Sequence, residues 1–221
     1  MTKESPAQAS GLTRGHKKKA RTRKKLLDTA IEILSTITPG EMTLLGLAER
    51  AEVASGTIYN YFSTKEELLD AVAIELASNF SGIIEVLNTH AKSGAERVAT
   101  GFRLYVHRAK AEPHWAMAMV RLLNNNVLLD QAIANFIRGD IRLAMKEGDF
   151  TVGDVDTCLS WVLGMGQQAM LVVATQPCAP GMPEQYAEML LRAFGVQSRK
   201  AARIATLALP DYTAAPTPNE A

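Results

Sequence analysis

Few backbones can accommodate the stretch from Met42 to Asp70, MTLLGLAERAEVASGTIYNYFSTKEELLD. Leu44, Leu47, Ala48 and Ala51 recur at helical spacing and make the inner face of one short helix. Ile58 and Phe62, four apart, make the inner face of a second. Val53 is placed to plug the turn between them, and Ala48 is small enough to let the helices cross closely. Ser55, Gly56, Thr57, Tyr59, Asn60 and Tyr61 are then left facing outward or along the flanks. Two short helices about a tight turn, the second polar on its outer side, form a helix-turn-helix suited to a DNA groove. Hydroxyls and phenols bond phosphates without bulk, and an Asn can both donate and accept at a base edge.

The charge distribution agrees. Residues 1–65 carry eleven Lys/Arg against six Asp/Glu, and residues 66–221 carry thirteen against seventeen. A head of +5 on a body of −4 is the asymmetry expected when only the head meets a polyanion. Eight of the basic residues lie between Arg14 and Lys25, with no acid among them. That run leads into an amphipathic helix, in which Leu27, Ala30, Ile31 and Leu34 share one face. Pro39-Gly40 ends it. Residues 1–15 are polar and aperiodic, and are expected to be a mobile arm.

Helical periodicity runs through the rest of the chain, without the alternating patterns and Asn-Gly or Asp-Gly turns of strands. The predicted fold class is all-α, with helices at 17–37, 43–51, 55–62, 64–89, 93–111, 114–124, 128–147, 152–175 and 183–209. Ser63-Thr64-Lys65-Glu66 reads as a capping box with Ser63 as N-cap, and Thr151 followed by Asp154 as a weaker version. Gly148 suits a helix C-terminus, Pro183 suits a first turn, and Asn124, Asn125 and Asn126 read as a loop. The longest apolar candidate, about Trp161 to Ala174, is short for a bilayer span and contains Gln167 and Gln168. Cys158 and Cys178 lack CxxC partners and read as reduced thiols, and the N-terminus has no apolar leader. A cytoplasmic protein without a membrane partner is therefore expected. His107 and His114 lack the further ligands a metal would need, and no nucleophile–base pair stands out. Neither a cofactor nor an enzymatic activity is expected.

The 42–70 stretch resembles the DNA-binding domain of the TetR family of transcriptional regulators. The resemblance is carried by Thr43, Leu47-Ala48, Ala51, Val53, Gly56-Thr57-Ile58-Tyr59-x-Tyr61-Phe62 and Ser63-x-Lys65-Glu66-x-Leu68-Leu69, and covers about Arg21 to Val72. It implies that Thr43 meets a phosphate, that Thr57, Tyr59 and Tyr61 touch the DNA backbone, and that Ser55, Gly56 and Asn60 lie nearest base edges. Lys65 would pair with a phosphate, and Arg21 and Arg23 would sit near the backbone or the minor groove. Two positions depart from the family pattern. Glu52 stands where Gly is usual, at a left-handed cost of roughly 1 kcal/mol. Ala54 stands at a usual Ser N-cap, a loss of about 0.5–2 kcal/mol. Ser55 could then cap in its place, moving the start of the recognition helix by one residue. Gly46 is a further weak point inside a helix.

The implied organisation is an arm at 1–15, a three-helix DNA-binding domain at 16–65, a helical ligand-binding and dimerisation domain at 66–209, and a disordered tail at 210–221. Aromatics and Met in the middle helices suit an adaptable apolar pocket as well as plain core. The candidates are Phe102, Tyr105, Trp115, Met119, Phe136, Trp161 and Met165, with Gln168 as a polar anchor. Leu159, Val162, Gly166, Ala169 and Val173 form one stripe, and Met189, Leu190, Ala193 and Phe194 another, continued by Ala201, Ile204, Ala205 and Ala208. The resemblance implies that these two helices form a four-helix interface with a second copy, and that the homodimer reads a palindromic double-stranded operator. The expected function is a ligand-responsive, sequence-specific regulator, a repressor with a small-molecule effector. The alternative is a ligand-independent architectural or division-linked DNA binder on the same fold.

Overall fold

The computed structural model describes residues 14–89, 91–123 and 127–210, with the side chains of 14, 79–81, 87 and 127–132 left aside. Most of the expected arm, the tail from 211 and the Asn124–Asn126 loop lie outside the described residues. Ten helices and no strand occur among those described. They are α1 (Arg14–Leu34), α2 (Leu44–Arg50), α3 (Ser55–Ile58), α4 (Lys65–Asn88), α5 (Gly94–Ala111), α6 (Pro113–Leu123), α7 (Val127–Lys146), α8 (Val155–Thr175), α9 (Met182–Ala193) and α10 (Ser198–Ala205).

α1 packs on α2, α4 and α6, and α2 packs on α3. Leu26, Leu27, Ala30 and Leu34 are the buried stripe of α1. They meet Leu47, Ala48, Ile58 and Phe62 in one continuous core. α1 begins at Arg14, so Arg14 and Gly15 belong to the helix and not to the arm. α5 is the centre of the larger body and packs on α7, α8 and α9. At its first residue, Gly94, a Cβ would lie 2.3 Å from the Ala144 backbone nitrogen and 2.6 Å from the Asp140 carbonyl oxygen. Only glycine allows α5 and α7 to cross this closely.

Besides the ends of α1 and of α3, which stops at Ile58 and not at 62, three boundaries differ from those read in the sequence for reasons the structure shows. The α4 cap is one residue later than expected: Thr64 Oγ1 accepts from the Glu67 N–H at 3.1 Å, and the Glu67 carboxylate accepts from the Ser63 N–H at 2.6 Å. At α8 the N-cap is Asp154, accepting from the Thr157 N–H at 2.8 Å, and Thr151 has another task. The expected last helix is two helices. Gly195 takes φ 96°, the Val196 N–H closes back on the Leu191 carbonyl, and the Thr151 N–H bonds the Phe194 carbonyl. A Cβ on Gly195 would fall 2.1 Å from Thr151 Oγ1, so the chain turns where only glycine fits.

α8 is long and apolar enough to cross a membrane by length and composition. It lies against α5, α6, α7 and α9, with Cys158, Leu159, Val162, Ala169, Met170 and Val173 buried. This corrects the reading of the self-association stripe. Leu159, Val162, Ala169 and Val173 fill the chain's own core, as do Leu190, Phe194, Ala201, Ile204 and Ala205. The outward face of α8 instead carries Trp161, Gly164, Gln168 and Thr175, and that of α9 carries Met189 and Ala193.

Candidate functional site

The helix-turn-helix is held by backbone bonds that its sequence makes possible. The Val53 N–H reaches the Ala48 carbonyl at 3.0 Å across Glu52, which takes φ 53°. A helix closed in this way requires a left-handed residue, and glutamate occupies the position at a cost. α3 starts after Ala54, which offers no side-chain cap, so Ser55 does not take over the capping role. Regular α-helix lasts only to Ile58, and the Asn60 and Tyr61 N–H groups then bond three residues back. An uncapped start with Gly56 and two β-branched residues accounts for the short helix.

The residues that the resemblance assigned to DNA lie on α1, at the start of α2, on α3 and the turn after it, and at the start of α4. Ser55 and Gly56 on α3 and Tyr59 and Asn60 in the turn after it are exposed, Tyr59 at 52%, while Thr57 and Tyr61 are half-buried. Tyr61 packs partly against the core beneath. Thr43 is exposed at the start of α2 and its hydroxyl caps the Gly46 N–H at 3.0 Å, leaving its own proton to donate. Lys65 donates to the Gly40 carbonyl at 3.1 Å, which ties the start of α4 to the loop before α2. Arg21 and Arg23 are exposed on α1, and the Arg23 guanidinium lies 5.7 Å from the centre of the Phe62 ring. That contact joins α1 to the segment that follows α3.

A second site is a cavity of about 80 Å³ lined by five helices. α5 contributes Phe102 and Tyr105, α7 contributes Phe136 and Ile137, and α8 contributes Val162 and Met170. α4 closes it with Ile84 and Asn88, and α6 with Leu123. Of the eight residues expected to line a pocket, Phe102, Tyr105 and Phe136 do so. Met119 is wholly buried in the core behind it, and Trp115 lies under the Arg108 guanidinium, 4.3 Å from its ring centre. Trp161 and Gln168 are on the outer face of α8, and Met165 is half-buried beside the core without reaching the cavity. Helical period places a residue on a face but does not say which of several neighbours that face meets.

The sequence reading missed the polar end of the cavity. Asn88, Arg97 and Asp140 line it, and all three also line the shallow hollow outside, which marks this end as the mouth. Asn88 is 3% exposed, and its Oδ1 has no hydrogen-bond partner among the described residues. Arg97 Nε lies 2.9 Å from Asp140 Oδ1, but its N–H is not aimed well enough to form a hydrogen bond. Burial pushes the Asp140 carboxyl up to about 6; Arg97 opposes the rise and Glu85 adds to it. No spacing signal in the sequence joins these three residues.

The two histidines weighed as a metal pair serve separate contacts. His114 Nδ1 shares a 3.0 Å hydrogen bond with Ser35 Oγ, just past the end of α1. His107 lies 3.3 Å from Glu184, which also accepts from Arg103. Burial would raise the Glu184 carboxyl, but the bonds from Arg103 and His107 outweigh it and hold the group below its ordinary range.

Residues 26–72 match the family model for bacterial regulatory proteins, tetR family, and residues 93–207 match that for the tetracyclin repressor-like C-terminal domain. The chain belongs to the TetR family. As a TetR-family transcriptional regulator it is similar to the HTH-type regulator LuxR of Vibrio harveyi, with 28% identity over 96 residues. That match covers 42% of this chain and only 45% of LuxR, so under half of the relative's length is spanned. Among solved structures, RolR in complex with resorcinol has a TM-score of 0.69 and 24% identity, covering 89% of this chain and 98% of RolR. FadR from Bacillus subtilis, in complex with stearoyl-CoA, has a TM-score of 0.65 and 19% identity, covering 77% of this chain and 98% of FadR. At these identities the likeness establishes the TetR fold.

Proposed function

We propose that this protein is a homodimeric operator-binding repressor that leaves DNA when a small molecule occupies the cavity. The observation that carries the reading is that α4 and α6 serve both sites. α4 runs from Lys65, behind α3, to Asn88 in the cavity wall, a span of about 36 Å. α6 lines the cavity with Leu123, while its Arg121 donates to the Leu34 carbonyl at 2.7 Å and its His114 bonds Ser35. A ligand that shifts either helix therefore changes the seating of α1 and the spacing of two recognition helices in a dimer. Coupling of this kind is typically about 1–3 kcal/mol. RolR with resorcinol and FadR with stearoyl-CoA, structures of the same fold, support a small-molecule ligand.

Ser55, Gly56 and Asn60 would face base edges, and Thr43, Thr57, Tyr59, Tyr61, Lys65, Arg21 and Arg23 the phosphates. The dimer surface in this reading is the outward face of α8 and α9, where Trp161 is 54% and Met189 62% exposed. The protein would act in the cytoplasm, and the −4 body would not compete for DNA.

The test is a fluorescence-anisotropy titration against duplexes tiled from the region upstream of its own coding sequence, with a scrambled control, at two salt concentrations. One tile bound far above the control supports the reading. Equal affinity for all tiles with a steep salt dependence would overturn it in favour of an architectural DNA binder. In the same assay Asn60→Ala should change sequence preference, whereas Arg23→Ala should weaken binding to every duplex.

A further inference from the structure

We propose that the cavity takes a small uncharged one-ring compound bearing a hydroxyl, which donates to Asn88 Oδ1 and accepts from the Arg97 Nε–H. The proposal rests on the ligand-responsive reading above and gives it a chemical class. Size sets the first limit. An apolar cavity of about 150 Å³ binds benzene. The 80 Å³ here is smaller, so a single ring enters only as Met170 and its neighbours yield, and a second ring or a long chain would demand much more opening. The walls set the second limit: Phe102, Tyr105 and Phe136 present aromatic surface to a flat molecule.

The mouth decides the polar group. Asn88 Oδ1 is a buried acceptor without a donor, and Arg97 Nε–H is a buried donor without an aligned acceptor. Asn88 Oδ1 has thus lost its hydration with nothing in return, and Arg97 Nε–H has only its ion-pair attraction to Asp140. A hydroxyl satisfies both, because its O–H donates while its oxygen accepts. A carboxylate would gain the Arg97 guanidinium but set its charge beside Asn88 Oδ1, which cannot donate, and beside Asp140. An ammonium group would gain Asp140 and Asn88 Oδ1 but set its charge beside the Arg97 guanidinium. An uncharged hydroxyl avoids both repulsions.

The experiment is calorimetric titration of the full chain with phenol, toluene and benzoate, on the wild type and on Asn88→Leu. Toluene has the shape of phenol without its hydrogen bonds. The wild type should bind phenol on the order of tenfold to a hundredfold tighter than toluene, and benzoate more weakly than phenol. Asn88→Leu should keep toluene binding, which shows the cavity intact, and bring phenol to within about threefold of toluene. Phenol no tighter than toluene, benzoate tightest, or an unchanged phenol preference in Asn88→Leu would each overturn the proposal. Operator release separates the two readings. Stearate releasing operator DNA where phenol neither binds nor releases it would overturn the ligand class and leave the regulator standing. Absence of any specific duplex would remove the regulator reading, whatever phenol does.

Discussion

Replacing Gly94 by Ala sets two familiar effects against each other, and the structure decides the sign. Helix propensity alone favours Ala by at most about 1 kcal/mol, and by less at the first residue of a helix. The added methyl, however, would sit 2.3 Å from the Ala144 nitrogen, 2.6 Å from the Asp140 oxygen and 2.8 Å from the Ala144 Cα. All three are backbone atoms of α7, so no side chain can swing aside, and α5 and α7 must separate by about 1 Å. Overpacking of this kind costs roughly 1–3 kcal/mol. The same movement weakens the 2.8 Å bond from the Gly94 N–H to Glu147, a further loss of about 1 kcal/mol. The net expectation is destabilisation by about 2 kcal/mol, which for a chain of this length lowers Tm by roughly 4–8 °C. Thermal unfolding followed by circular dichroism measures it. Gly139→Ala is the control, because its Cβ would meet nothing within 4 Å and propensity should act alone. A Gly94→Ala protein melting at or above the wild type would refute the close-crossing argument.

Thr64→Ala should cost about 1 kcal/mol in denaturant unfolding, whereas Ser63→Ala should be nearly neutral, since Thr64 holds the cap. Glu52→Gly should stabilise by about 1 kcal/mol in the same assay, because it relieves the left-handed strain. The Asp140 carboxyl is raised to about 6, so the folded state binds this proton more tightly than the unfolded chain does. Its contribution is therefore full below about pH 4 and lost as pH rises through about 6. Asp140→Asn should flatten the stability–pH curve in that window, measured as Tm in a buffer series.

The helix-turn-helix was legible because its constraints are local: a left-handed turn, a plug at Val53 and apolar pairs at fixed offsets. Even Glu52 at the turn was readable as a strained position, and it takes φ 53°. Caps were less legible, since Ser63 and Thr64 carry the same hydroxyl and the choice depends on which residue stays extended. The α8 stripe was visible as a stripe, but its partner was not. Leu159 and Val162 were assigned to a second copy and in fact serve the chain's own core. The mouth of the cavity was hidden altogether. Asn88, Arg97 and Asp140 come from three helices, and tertiary packing alone brings them together.

The bond from Arg121 to the Leu34 carbonyl bears on how such regulators can be recombined. α1 has no basic residue in its last turn to satisfy its terminal carbonyls, and a residue 87 positions later supplies that role. The head is thus finished by the body. A chimera that grafts residues 14–72 onto another relative's sensor would leave Leu34 and Ser35 facing whatever that relative carries on its own sixth helix. Exchangeable parts should therefore be cut so that His114 and Arg121 travel with the helix they complete.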